Sequence, residues 1–434
     1  MLPSLNHGIV EIRLRNKTKM IKNIRGYLKT NSDQTSPVFM FSVAMLFWTI
    51  FDSTLQYITP LLMEDRGFST SLIGLVIGSS SIAGALFDFI ICKIFKKTNF
   101  RRVFLIMFAL CFIYPLLLWQ AKSVWFFVFV MAVWGVYYDL YGFGIYNFVG
   151  KYIKRANHSS SFGIVQVFRA LGSILAPLIV GLVVIDTVDW HAFTLSWVFL
   201  TIGFIFFIAF LMYMRKRKAV DDILESTPRR KNMFIELHLW NKLGKVMSPV
   251  LLLTFYLLFI DAFFWTLAPL YAENSNLQQF GGLFLTAYVL PELVVGWFIG
   301  PLTERFGKKR SAYACLFLGS LILASFFFVT SPILAIAVVF VASCFISMAF
   351  PIINASYADY ICDAPQVEGE IEGLEDFATN LGYVFGPILA GILADMLDIP
   401  AAFSILGLLG ALLAWALFVK SPKHIIIKTK SSEI

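Results

Sequence analysis

The chain has 434 residues, of which 59% are hydrophobic and 14% are charged, with a formal net charge of +8. A typical soluble domain carries about 25% charged residues, so this composition excludes an ordinary soluble globular protein. The positive charge is concentrated in alternate polar loops, which indicates membrane topology and gives no reason to expect a nucleic-acid partner.

Twelve apolar segments follow one another along the chain, and each is long enough to cross about 30 Å of hydrocarbon. Their length and their glycine and proline content favour helices over barrel strands, which would alternate over about 10 residues. We therefore expect an all-α polytopic membrane protein with spans at about 37–63, 71–92, 102–120, 124–149, 160–185, 191–213, 247–271, 279–301, 311–330, 333–357, 376–394 and 399–419.

The basic residues predict the orientation of these spans. All but three of the 35 lysines and arginines lie in the tails and in loops on one side, the exceptions being Arg66, Lys122 and Arg169. The positive-inside rule then places both termini in the cytoplasm, and we expect the inner membrane of a bacterium. No cleavable signal peptide is visible, and Met20 offers a second plausible start. The five cysteines show no spacing typical of a metal site, so we expect no cofactor.

The chain contains a duplication. The segment FDSTLQYITP (51–60) returns as IDAFFWTLAP (260–269), and the glycine and proline pattern of span 5 returns in span 11 at an offset of 210. Because six is an even number, the two halves cross the membrane in the same sense as parallel repeats. The predicted organisation is a basic tail (1–36), a six-helix bundle (37–213), a cytoplasmic linker (214–246), a second six-helix bundle (247–420) and a cytoplasmic tail (421–434).

The loop between spans 8 and 9, GPLTERFGKKR, resembles the signature of the major facilitator superfamily, with the pattern filled by Gly300, Glu304, Arg305, Gly307, Lys309 and Arg310. The copy between spans 2 and 3 departs from it at Asp88, Cys92 and Phe95. Spans 5 and 11 resemble the antiporter motif of the same family, although their small residues also suit close helix packing. The resemblance implies two six-helix bundles with a central cavity lined by spans 1, 4, 7 and 10.

Two acids occupy equivalent positions inside the membrane. Asp52 and Asp261 each precede a proline by eight residues, and a carboxylate at mid-bilayer costs about 2.5–3.5 kcal/mol on insertion scales. Neither has a basic residue at its level, and burial without a cation favours the protonated form of a carboxyl group. We therefore expect both to carry protons, with the alternative that one is only a hydrogen-bonded polar group.

Further charges lie in spans 4, 5 and 8. Asp139 and Arg169 have matching depths, so they form either a structural ion pair or a switch that protonation of Asp139 opens. Glu292 follows Pro291, where a kinked helix would present the carboxyl group to the cavity. Spans 3, 6, 9 and 12 carry no deep charge, which agrees with the peripheral position that the resemblance gives them.

Aromatic and amide side chains crowd the levels of these charges. Aromatic rings are often simple packing, but beside an excess of acids they favour a cationic or neutral amphipathic substrate through cation–π contacts. The candidate substrate-cavity residues are Trp48, Gln56, Tyr138, Tyr141, Gln166, Trp265, Tyr288, Asn354 and Asn380.

The inner ends of spans 4 and 10 carry opposite charges at pseudo-equivalent positions. Lys151 and Arg155 align with Asp359 and Asp363 at an offset of 208. We expect a gate in which these charges meet when the cytoplasmic side closes. The alternative is a solvated acidic loop.

Together these patterns predict a secondary active transporter that works by alternating access, with proton-coupled efflux by antiport as the leading function. The alternatives are proton-coupled uptake of a sugar or other small metabolite, and a membrane sensor built on a transporter scaffold. No nucleotide-binding signature and no nucleophile–base cluster is visible, so we do not expect an enzyme. The expected partners are a small-molecule substrate, protons and the lipid bilayer, and we expect a monomer.

Overall fold

A computed structural model describes residues 32–94, 99–153, 158–183, 188–215, 233–274, 277 and 280–420. The described residues are helical or lie in turns and short connections. The helices are α1 (Ser32–Asp65), α2 (Thr70–Ile94), α3 (Phe100–Gln120), α4 (Val124–Tyr152), α5 (His158–Val180), α6 (Trp190–Met214), α7 (Met233–Asn274), α8a (Gly281–Val289), α8b (Glu292–Phe306), α9 (Lys308–Ala324), α10 (Pro332–Asp363), α11 (Glu368–Met396) and α12 (Ile399–Lys420), with 3₁₀ turns at Ser325–Phe328 and Pro365–Val367.

Eleven of these helices are long and apolar enough to cross a membrane, and α8a with α8b forms a twelfth candidate span, bent by 68° between its parts Gly281–Val295 and Phe298–Phe306. The first interruption of α8 falls at Leu290 and Pro291. Proline has no backbone N–H and its ring clashes with the preceding turn, which explains a break there. The predicted fold class is confirmed: the chain is an all-α integral membrane protein.

The start of α7 differs from the sequence prediction. The helix begins at Met233, inside the segment predicted as a cytoplasmic linker (214–246), while residues 216–232 lie outside the described part of the chain. The extension is helical because it has a face to bury. Leu243 is buried, and Trp240 lies against Phe377 and Gly373 of α11.

Short polar residues fix several helix starts. Asn99, Ser123, Asp189 and Ser331 each accept a hydrogen bond from a backbone N–H in the first turn of α3, α4, α6 and α10. Such caps satisfy N–H groups that have no partner within the helix. The caps therefore mark where four of the apolar segments begin.

The two halves pack by the same pattern. In the first half α1 contacts α5 and α6, α4 contacts α2 and α3, and α3 contacts α6. In the second half α7 contacts α11 and α12, α10 contacts α8 and α9, and α9 contacts α12. The two contacts of α2 with α11 and of α5 with α8 also correspond to each other, and they join the halves. The packing thus repeats with a shift of six helices.

The halves meet tightly at one end of the molecule. We call the end that carries Ser32 and Lys420 the near side, and the other end the far side. A Cβ atom on Gly74 of α2 would lie 2.0 Å from the Pro387 carbonyl oxygen of α11, and one on Gly282 of α8a would lie 2.4 Å from the Pro177 carbonyl oxygen of α5. Such backbone contact is possible only without a side chain. We call these contacts of α2 with α11 and of α5 with α8a the far-side seal.

A carboxylate of the second half also holds the first half at this end. Asp395 of α11 accepts hydrogen bonds from the backbone N–H groups of Thr70 and Ser71, at 3.0 and 2.8 Å. These two residues form the start of α2, where backbone N–H groups and the helix dipole favour a negative charge. On the near side, by contrast, α4 and α10 do not pack against each other within the described residues. The far side is closed, and the halves diverge toward the near side.

Candidate functional site: two equivalent acids and a caged arginine

Asp52 is buried in the first half and held by α4. The Trp134 indole and the Tyr137 hydroxyl both donate hydrogen bonds to its Oδ1, at 3.0 and 2.7 Å. Trp134 and Tyr137 are three residues apart, so they lie on one face of the helix. The side chain is 5% exposed. Asp52 therefore faces the interior of its own bundle, with both described donors on one oxygen atom.

Asp261 is held in a different way. The Tyr288 hydroxyl of α8a donates to its Oδ1 at 3.1 Å, and the Tyr383 hydroxyl of α11 donates to its Oδ2 at 2.9 Å. Tyr288 is 7% exposed, and its ring stacks on Phe264 with centroids 3.9 Å apart. Each carboxylate oxygen of Asp261 thus has its own tyrosine, and the two tyrosines belong to two different helices.

The duplication kept the acids but exchanged the residues that hold them. Tyr383 corresponds to Ser173 at the offset of 210, and α2, which corresponds to α8, contains neither tyrosine nor tryptophan. Residues 332–351, the first part of α10, also lack both aromatic types that α4 uses to hold Asp52. The two acids are equivalent in the sequence and have different surroundings in the structure.

Arg169 of α5 lies in an aromatic cage formed by Trp48, Tyr138 and Tyr141. Its guanidinium carbon is 4.7 Å from the Tyr141 ring centroid, 5.8 Å from that of Tyr138 and 5.9 Å from that of Trp48. Its Nη2 donates to the Tyr138 hydroxyl at 2.8 Å, while its buried Nε has no hydrogen-bond partner. Cations bind to such ring faces by electrostatic attraction.

Arg169 also stands between carboxyl groups of both halves. It interacts electrostatically with Asp52 in its own half and with Glu292 in the other half. Glu292 is exposed and in turn interacts with Asp261. The acids of the two bundles are therefore linked through one caged cation.

Asp139 lies on the part of α4 that packs against α2, where a Cβ atom on Gly84 would be 2.8 Å from its Oδ2. Its pairing with Arg169, as an ion pair or as a switch, stays a prediction. The side chain of Asp88 lies outside the described residues.

The remaining cavity candidates divide by exposure. Trp48 is fully buried and its indole donates to the Cys111 sulfur at 3.4 Å. Gln166 and Asn354 are exposed, while the half-buried candidates are Gln56, Trp265 and Asn380. Their roles stay predictions.

The loop between α8b and α9, which carries the GPLTERFGKKR motif, makes one contact that the sequence did not predict. Lys308 donates to both carboxylate oxygens of Asp359, at 2.7 and 2.6 Å, within the second half. Gly307 before it has φ +78° and ψ 153°, a conformation essentially restricted to glycine. Of the other predicted motif residues, Gly300 and Glu304 are exposed, Lys309 is half-buried, and the Arg305 and Arg310 guanidinium groups lie over the rings of Phe306 and Phe418.

Of the predicted gate, Lys151 and Asp359 form no ion pair within the described residues. Lys151 and Asp363 are exposed, Asp359 pairs with Lys308, and Arg155 lies outside the described residues. Since the near side is open, the meeting of Lys151 with Asp359 in a closed state stays a prediction.

Sequence reasoning missed Trp134, Tyr383 and Lys308. A signal existed for the first, because Trp134, Tyr138 and Tyr141 follow the i, i+4, i+7 spacing of one helix face. No comparable signal pointed to Tyr383, since its partner Asp261 is 122 residues away along the chain.

Comparison with known proteins agrees with this architecture. Residues 38–370 match the sequence model of the family described as Major Facilitator Superfamily. Multidrug resistance protein 2 of Bacillus subtilis (strain 168) is 24% identical over 162 residues, which covers 36% of this chain and 40% of that protein. An uncharacterized MFS-type transporter of the same organism is 25% identical over 325 residues, which covers 68% of this chain and 77% of that relative.

Among solved structures, the nucleoside transporter NupG superposes with a TM-score of 0.66 at 14% identity, covering 89% of this chain and 100% of that chain. At this identity the likeness shows the fold alone. The resemblance to the major facilitator superfamily, which the GPLTERFGKKR motif suggested, is confirmed by the family match.

Proposed function

This chain belongs to the Major Facilitator Superfamily of membrane secondary transporters, and we propose that it is a proton-coupled antiporter that exports cationic or neutral amphipathic small molecules. The orientation is part of the proposal: the basic near side faces the cytoplasm. The arrangement described here is then the one open to the cytoplasm.

The observation that carries the proposal is the pair of acids in equivalent positions of the two halves, of which Asp52 is buried and Asp261 is half-buried. Asp52 and Asp261 are each surrounded by aromatic hydrogen-bond donors, with no lysine or arginine hydrogen-bonded to either within the described residues. A buried carboxyl group gains or loses a proton according to what else neutralises it. A proton and a cationic substrate are therefore alternatives at such a site.

The aromatic cage supports a cationic substrate. Trp48 and Tyr141 stack with centroids 4.7 Å apart, and together with Tyr138 they already hold one cation, the Arg169 guanidinium. Flat aromatic faces also suit neutral amphipathic molecules by burial of apolar surface. The similarity to a protein named for multidrug resistance favours efflux, although the alignment covers less than half of either chain.

Proton-linked uptake of a small metabolite remains the second candidate, because Gln166 and Asn354 expose amide groups that suit hydroxylated substrates. The same experiment separates the two. Purified protein is reconstituted in liposomes with an imposed pH gradient and offered a quaternary ammonium dye, a sugar, a nucleoside and an organic acid.

Antiport predicts that liposomes with an acidic interior accumulate the dye, and that Asp52→Asn or Asp261→Asn abolishes the accumulation. Asp398→Asn serves as the matched control, because Asp398 is an exposed carboxylate that caps its own helix. If liposomes with an acidic exterior accumulate the sugar or the nucleoside, the proposed function is symport and not antiport. If the pH gradient drives the transport of none of the four compounds, proton coupling is contradicted.

A further inference from the structure

We infer that Asp261, rather than Asp52, connects protonation to the far-side seal, and that Tyr288 and Tyr383 are the positioning residues that carry the connection. The inference rests on the proposed proton coupling. It assigns different roles to two acids that are equivalent in the sequence.

The hydrogen bonds of the two acids differ in geometry. Tyr288 and Tyr383 donate to different oxygen atoms of Asp261. A proton on either oxygen places an O–H group on an atom that accepts from one of the tyrosines, and this weakens that tyrosine's hydrogen bond. Both donors of Asp52 share Oδ1, and a proton on its Oδ2 leaves them in place. Protonation therefore disturbs the surroundings of Asp261 more than those of Asp52.

The two tyrosines also lie next to the far-side seal. Tyr288 lies two residues after Thr286, whose hydroxyl donates to the Ile174 carbonyl of α5 across the seal at 3.2 Å. Tyr383 directly precedes Val384, whose carbonyl oxygen lies 2.6 Å from a Cβ atom built on Gly78 of α2. Each tyrosine thus belongs to a helix that seals the far side, next to a residue that makes the contact.

Asp52 has no such link through its donors. Trp134 and Tyr137 both lie on α4, which packs on α2 and α3 of its own half. Within the described residues α4 does not pack against the second half. Through its hydrogen-bond donors, a change at Asp52 is therefore transmitted to α4 of its own bundle, and its electrostatic link to the other half runs through Arg169.

Several groups surround the tyrosines that hold Asp261. Tyr288 lines a small apolar pocket together with Phe264 and Ser343. Among the titratable groups that face this region are Glu292 on α8b and, beyond Tyr383, Tyr138 of the first half, while Arg169 acts on Glu292. Glu292 is exposed and interacts electrostatically with Asp261.

As a consequence, the protonation state of Asp261 controls the far-side seal. Hydrogen bonds to an ionised acceptor are about twice as strong as neutral ones. Ionised Asp261 holds α8a and α11 in the sealed arrangement, whereas a proton or a cationic substrate at Asp261 releases one tyrosine and loosens the seal. A transporter in which Asp261 is ionised and no substrate is bound then stays closed on the far side. It reaches the far-open state only after a proton or a substrate has bound.

The test measures the far-side distance without any substrate. Spin labels at Lys122→Cys and Leu397→Cys, two exposed far-side positions in different halves, are placed in a cysteine-free background and measured in nanodiscs between pH 5 and 9. We expect the far-open population to rise as the pH falls. Asp261→Asn should raise this population at every pH. Tyr288→Phe and Tyr383→Phe should each flatten the dependence on pH.

Tyr137→Phe is the matched control, because it removes one tyrosine hydroxyl from Asp52 and none from Asp261. It should leave the pH midpoint unchanged. A wild-type distribution that does not respond to pH, or a response abolished by Asp52→Asn and retained in Asp261→Asn, would overturn the inference. The single tyrosine variants decide the question if Asp261→Asn does not fold. Since no transport is measured, failure here is distinguishable from failure of the proposed antiport.

Discussion

At the residue scale, the caged cation Arg169 lies where a cationic substrate is proposed to bind. The Arg169 guanidinium covers the Tyr141 ring at 4.7 Å and leaves its Nε without a hydrogen-bond partner. An incoming cation must therefore share the cage with Arg169 or displace it. The same residue would attract an anionic substrate, so its removal separates the two substrate classes.

We expect Arg169→Gln to tighten the binding of a quaternary ammonium dye. A cation–π contact is worth about 1 kcal/mol, so removal of the internal competitor should lower the Kd of the dye about fivefold in equilibrium titrations of the purified protein. Arg310→Gln is the control, because that guanidinium lies over Phe418 on the near side, away from the cage. An unchanged or higher Kd in Arg169→Gln would argue against cation binding in the cage.

At the scale of the elements, the far-side seal depends on backbone contact between α2 and α11. Gly74 and Gly391 let the two helices approach until backbone atoms touch, and Asp395 then caps the start of α2 from the other half. Glycine provides the close approach, and the carboxylate adds a charge at a helix N-terminus that favours it. The seal therefore combines shape with one electrostatic contact across the halves.

Asp395→Asn should weaken this seal. The amide keeps one acceptor and loses the charge and one hydrogen bond, a loss of about 1 kcal/mol, or about a fivefold gain in the far-open population. The measurement is the same far-side spin-label distance. Asp398→Asn should leave the distance unchanged, since Asp398 accepts from Ala401 within its own half. Equal shifts in both variants would mean that general far-side charge, and not the cap, controls the seal.

The elements could be predicted where a single segment determines them. Span length, the interruption at Pro291 and the caps at Asn99 and Ser123 are all visible in the sequence. The start of α7 at Met233 was not, because Trp240 is helical through its packing on α11, more than 130 residues further along the chain. Polarity marks a linker only where no other helix offers a surface to pack against.

At the scale of the whole molecule, the duplication was predictable and its divergence was not. Nearly equal offsets between repeated segments predicted two bundles, and the packing of α2 on α11 corresponds to that of α5 on α8. The exchange of the donors of Asp52 for those of Asp261 depends on which neighbouring helix carries an aromatic residue at the right depth, as with Tyr383 in place of Ser173. The two halves therefore share one fold, while their equivalent acids have different surroundings and different proposed roles.

The central claim is that a proton and a cation compete for the two acids. The most direct measurement is calorimetric titration of the purified protein with a quaternary ammonium compound in buffers of different ionisation enthalpy, which reports the protons exchanged on binding. Competition at a coupled site predicts the release of about one proton per cation bound, and a loss of this release in Asp261→Asn. Binding without proton release, or with proton uptake, would contradict the account.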